Sequence, residues 1–185
     1  MIATQAGAAE SRRCRRAYEA VLSQFDRLES LSALPDDRLF QRADAVSRWS
    51  VADHLSHIAR SIQAMVGAIE AACEPGAEDS GGGPTFPGHA VLLTGWIPRG
   101  VGEAPEYMEP QAESSADVAR QLEVARQAVE RLEPRLPEIE RARGRVRHFA
   151  FGALTPLQWL RVIAIHTRHH LKIIRAIQRA ARSGD

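Results

Sequence analysis

The last third of the chain restricts the fold most. Thr155-Pro156-Leu157-Gln158 has the form of a helix start: a threonine cap, a proline at the first helical position, and a glutamine three residues after the cap to answer it. From there to about Ala181, steps of about 100° per residue put Trp159, Ile163, His166, His170, Ile173, Ile174 and Ile177 on one face. Arg161, Arg168, Lys172, Arg175 and Arg179 fall on the opposite face. So long an apolar stripe must lie against other elements, and two imidazoles sit in its middle. A fold that buries it has to give both rings partners, because an unpaired buried polar group costs on the order of 1–3 kcal/mol.

Three further segments have helical periodicity. The first runs from about Ala9 to Leu31, with Cys14, Tyr18, Val21, Leu22, Phe25 and Leu28 on one face. Pro35-Asp36-Asp37 then marks a break. The second begins after Ser50, with Asp53 placed to complete a capping box, and ends near Cys73. Its apolar stripe is Val51, Leu55, Ile58, Ile62, Met65, Val66 and Ile69, and beside it runs a row of small residues, Ser61, Ala64, Ala68 and Ala72. The third starts at Ser114 or Ser115 and carries Val118, Leu122, Ala125, Val129 and Leu132, a bundle-seam spacing. Between the second and third helices, residues 75–110 hold eight of the 13 glycines and six of the 10 prolines. This insertion reads as a flexible stretch, residues 76–84, followed by a packed cover or short helix.

With 5% aromatic residues and no strand-like run, the chain reads as all-α. The expected fold is an antiparallel four-helix bundle forming one domain over residues 1–185. Lys plus Arg total 24 and Asp plus Glu 23, a balance that argues against a nucleic-acid or membrane-surface binder. The basic face of the last helix is then a solvated face. Cys14 and Cys73 do not make a disulfide framework, no signal-peptide core is visible, and no stretch approaches the roughly 18 apolar residues of a membrane span. The expected location is cytoplasmic, with reduced thiols.

His166 and His170, one turn apart, can turn their nitrogens toward one ion, and a metal would satisfy both rings. A third imidazole from the second helix would give three ligands and an open position, the pattern of a catalytic site. Two residues compete for that place. His54 lies about 60° from the centre of the apolar stripe and His57 about 120°. Periodicity therefore favours His54, whereas the small-residue row favours His57.

The residues Trp49-Ser50-Val51-Ala52-Asp53-His54-Leu55-Ser56-His57 resemble the N-terminal signature of the DinB-like (YfiT-like) metal-binding bundle superfamily, in which a histidine follows the tryptophan by eight positions. Ile165-His166-Thr167-Arg168-His169-His170-Leu171 resembles its C-terminal signature, and Phe151-Gly152-Ala153-Leu154-Thr155 resembles a helix entry seen in part of it. The resemblance implies that His57, His166 and His170 are the metal ligands. His54 and His169 are then neighbours, either hydrogen-bonding to the ligands or lying on the surface, with the surface the simpler reading.

The resemblance further implies a divalent cofactor (zinc, nickel, iron or cobalt) and a homodimer. The leading functional expectation is a metal-dependent enzyme, a transferase or isomerase that uses a low-molecular-weight thiol, whose pKa the metal would lower. The same site could activate water for hydrolysis. The rival expectation is a non-catalytic metal-binding or stress-associated protein. Asp53, Tyr107 and His169 are nearby titratable side chains, and none is singled out as an acid or base.

Overall fold

Two caps fix where the histidine-bearing helices begin. The computed structural model of the chain describes residues 2–77, 82–100 and 105–182. Helix α3 (Val51–Cys73) starts at Ser50, whose Oγ accepts from the Asp53 backbone N–H at 3.1 Å while Asp53 Oδ2 accepts from the Ser50 N–H at 2.9 Å. Helix α7 (Pro156–Arg182) starts the same way: Thr155 Oγ1 accepts from the Gln158 N–H at 3.4 Å, and Gln158 Oε1 accepts from the Thr155 N–H at 2.9 Å. Each cap satisfies two backbone donors that a helix end would otherwise leave unpaired.

The other long helices are α1 (Ile2–Ser32) and α5 (Ser115–Glu130). Short helices α2 (Asp36–Leu39), α4 (Phe86–Thr94) and α6 (Leu136–Arg141) lie in the connections. Helix α3 packs against α5 and α7, and α1 packs against the same two, leaving α1 and α3 diagonally opposed. Their apolar stripes meet in one core that includes Phe25, Leu28, Ile58, Ile62, Leu122, Ile163 and Ile174. Burying each such side chain contributes about 1.5–3 kcal/mol relative to exposure. This is the expected four-helix bundle. No described helix is long and apolar enough to cross a membrane.

The insertion contains a helix. Thr85 caps α4 by accepting from the Gly88 N–H, and Gly95 ends it with a φ of 65°. Of the stretch expected to be flexible, residues 78–81 lie outside the described residues.

Helix α4 sits on a feature that the sequence did not signal, a hairpin of β1 (Val146–His148) and β2 (Gly152–Leu154). The two touch so closely that a Cβ on Gly88 would fall 2.3 Å from the Phe151 carbonyl oxygen. Gly152 has a φ of 81°, and a Cβ there would lie 2.6 Å from the Gly83 carbonyl oxygen, so glycine is required twice over. Helix α7 also holds α4, because an Arg161 guanidinium N–H donates to the Leu92 carbonyl at 2.6 Å. Arg161 nevertheless stays exposed, as do Arg168, Lys172, Arg175 and Arg179, so the basic face of α7 is the solvated face expected of it.

Because Ser50 is buried and its cap is reciprocal, Ser50→Ala is expected to cost about 1 kcal/mol, within the roughly 0.5–2 kcal/mol range for lost N-caps. The measurement is the urea midpoint at unchanged m-value.

Candidate metal centre

Helices α3 and α7 are the pair that carries the histidines. The first two turns of α3 bring His54 and His57 to the contact, and the middle of α7 brings His166 and His170. His57 and His170 are buried; His166 keeps some exposed surface, although its Nδ1 is enclosed. His57 Nε2 lies 3.2 Å from His166 Nε2, and His170 Nε2 lies 3.2 Å from the same atom. One nitrogen from each of the three rings lies within 4.8 Å of the others. Imidazole nitrogens arranged tetrahedrally around one ion at roughly 2.0–2.1 Å would sit about 3.3–3.4 Å apart, so the two short separations match a shared cation.

Hydrogen bonding alone does not satisfy this arrangement. His57 Nδ1–H donates to the Met108 carbonyl at 2.7 Å, which leaves its Nε2 with a lone pair facing His166. His166 Nε2 can carry one proton at most, so it can serve only one of its two neighbours. Its Nδ1 has no hydrogen-bond partner among the described residues. A cation among the three Nε2 atoms would engage all three lone pairs at once.

The surroundings are built to hold His57 still. The turn Glu106–Met108 presents the Met108 carbonyl. The segment after it is pinned by Ser56, whose Oγ accepts from the Gln111 N–H at 2.9 Å and donates to Gln121 Oε1 at 2.7 Å. Trp49 lays its ring beside His57, His54 and His170, with centroids 4.8, 5.3 and 6.2 Å away. Ser61 Oγ, from the small-residue row of α3, lies 3.4 Å from His57 Nε2. Neither Met108, whose contribution is a backbone carbonyl, nor this serine framework carried a sequence signal.

The remaining candidates separate clearly. His54 is not a surface residue: it is buried, and its Nδ1 lies 2.9 Å from His170 Nδ1, on the side of that ring away from the three Nε2 atoms. Its position about 60° from the centre of the apolar stripe accounts for this burial. His169 stands edge-on to His170, bonds to the backbone of Ile97, and does not join the group of three. Asp53 is occupied in the helix cap and faces Arg42, and the Tyr107 side chain is outside the described residues. A groove of about 440 Å³ lined by Arg60, Gln111, Asp117 and Arg120 contains none of the histidines.

The family model of the DinB superfamily matches residues 15–174, from within α1 to within α7. Comparison with curated proteins and with solved structures found no match.

Burial sets the charge state of the histidines. It lowers His57, opposed by the bond to the Met108 carbonyl, and it holds His166 and His170 well below the usual imidazole value, with the neighbouring rings adding to the effect. All three are thus neutral near pH 7, the form that binds metal. Burial also brings His54 and His148 down to about 4. Groups with a lowered folded pKa leave the unfolded chain binding more protons, so stability is full above the unfolded value and lost as pH falls. The metal-free chain is expected to lose stability progressively as pH falls from about 6.5 through about pH 4. A urea midpoint that stays constant down to pH 4 would contradict this.

Proposed function

The chain belongs to the DinB superfamily, and from that premise we propose that it is a metal-dependent enzyme whose divalent ion is held by His57, His166 and His170. The observation that carries the reading is the convergence of three neutral imidazole nitrogens between α3 and α7. Three protein ligands leave a position for a fourth, as catalytic sites require. The exposed surface kept by His166 supports an approach from solvent on that side.

The reaction class follows from the charge of the site. The described partners of the three rings are a carbonyl, an imidazole and a hydroxyl, none of them anionic. A divalent ion held there would lower the pKa of a bound thiol or water and so supply a nucleophile near neutral pH. We assign the thiol chemistry first, as a transferase or isomerase using a low-molecular-weight thiol, with hydrolysis as the water-based counterpart. The chain's own residues contribute orientation: Met108 holds the His57 ring, and Trp49 covers one side of the group and limits water there. A homodimer in the cytoplasm remains part of this proposal.

Chain purified without an affinity tag and loaded with zinc is expected to hold about one ion, as a single three-histidine group predicts. His57→Ala, His166→Ala and His170→Ala should each lose it, while His169→Ala should not. Absence of stoichiometric metal in the wild type would overturn the metal reading. In a cobalt-substituted form, added thiol should shift the visible spectrum. An unchanged spectrum, together with no turnover across a panel of thiols and electrophiles, would leave a non-catalytic metal-binding protein as the reading.

A further inference from the structure

His54 is the one buried imidazole of the α3–α7 contact that the metal proposal does not use, and its surroundings give it a defined job. It is 2% exposed. Its Nδ1 faces His170 Nδ1 at 2.9 Å, and its Nε2 faces Ser47 Oγ at 3.0 Å. Ser47 Oγ in turn accepts from the Trp49 N–H at 3.1 Å, which fixes it just ahead of α3. Two neutral imidazoles that meet Nδ1 to Nδ1 at this distance share one proton, so the tautomers of His54 and His170 are locked together.

Only two arrangements exist. In one, His170 carries the Nδ1 proton and donates it to His54, and His54 Nε2–H donates to Ser47 Oγ. His170 Nε2 then presents a lone pair to His166 and His57. In the other, His54 Nδ1–H donates to His170, and the His170 proton sits on Nε2, where no metal can bind. We propose that His54 is a positioning residue for the metal centre: as acceptor for His170 Nδ1–H, it holds that ring in the tautomer and orientation in which Nε2 is a ligand. The chain His170–His54–Ser47 thereby anchors one ligand of α7 to the segment that precedes α3. Met108 performs the same service for His57 through its carbonyl. Partners of this kind typically account for a 10–100-fold difference in metal affinity.

This inference rests on the proposed metal site, and the experiment separates the two. Zinc affinity is measured by competition with a chromophoric chelator for the wild type, His54→Leu, His54→Asn and His166→Ala. Leucine fills the space without an acceptor, whereas the asparagine Oδ1 occupies the place of the imidazole Nδ1. His54→Leu is expected to bind zinc roughly 10–100-fold more weakly, and His54→Asn to recover most of that loss. A His54→Leu affinity equal to wild type, with His166→Ala still defective, overturns the positioning role and leaves the metal site standing. Equal weakness of the leucine and asparagine variants overturns it as well, since that is the result of lost packing alone. A wild type that binds no zinc overturns both. A variant-free measurement stands beside these: nitrogen-15 NMR of the zinc-loaded wild type should show His170 protonated at Nδ1, with scalar coupling across the hydrogen bond to His54 Nδ1. Protonation at His54 Nδ1 instead, or no coupling, overturns the proposal.

Discussion

Imidazole rings buried in an otherwise apolar helix contact set the terms for the rest of this structure. Helices α3 and α7 send Leu55, Ile58, Ile163 and Ile174 into the apolar core, yet between them four histidine rings meet at nitrogen separations of 2.9–3.2 Å. Hydrophobic packing tolerates small slides along a helix, but these separations do not. A shift of one residue moves a side chain about 1.5 Å along the axis and about 100° around it, which would take any of these nitrogens out of reach. The caps at Ser50 and Thr155 therefore matter beyond their own energy, because they fix the first residue of each helix and hence the height at which each histidine arrives.

The insertion belongs to this constraint as well. Its last part passes beside α3, where the Met108 carbonyl meets His57 Nδ1 and Ser56 and Gln121 hold the following residues in place. A backbone carbonyl is an acceptor only, so it selects the Nδ1–H tautomer of His57 and leaves Nε2 free. Helix α4, earlier in the same insertion, rests on the hairpin and on Arg161 of α7. The segment least like a bundle in composition is thus fastened to both helices that carry the histidines.

What could be read from the sequence is what depends on local chemistry. The start of α7 was legible because threonine, proline and glutamine at fixed spacing act within one turn. Its buried face was legible because five of the seven stripe residues are isoleucine or tryptophan at helical period. The choice between His54 and His57 was not legible in the same way. A helical wheel measures an angle to the helix's own stripe, and both residues prove to be buried. What separates them is which side of the His170 ring each one meets, and that depends on where α7 crosses. Resemblance to a family supplied His57, and nothing supplied Met108 or Ser47, since a carbonyl is carried by every residue and a lone serine has no pattern. The three-residue strands of the hairpin were invisible for a related reason: a period of two cannot be detected over so few positions.

The neutrality of the site gives the electrostatic argument its direction. Metal sites often support their histidines with carboxylates, which orient the ring and also cancel part of the ion's charge. Here the described partners orient the rings without cancelling anything: a carbonyl for His57 and an imidazole for His170, while His166 Nδ1 has no partner among the described residues. A divalent ion held by three neutral nitrogens in such surroundings would retain its double charge in a region of low dielectric, where an anion at the open position is stabilised more strongly than in water. The preferred fourth ligand is then the conjugate base of a weak acid, and a thiol, with an ordinary pKa near 8.5, needs far less help to reach that form than water does. That difference is the physical reason for ranking thiol chemistry ahead of hydrolysis.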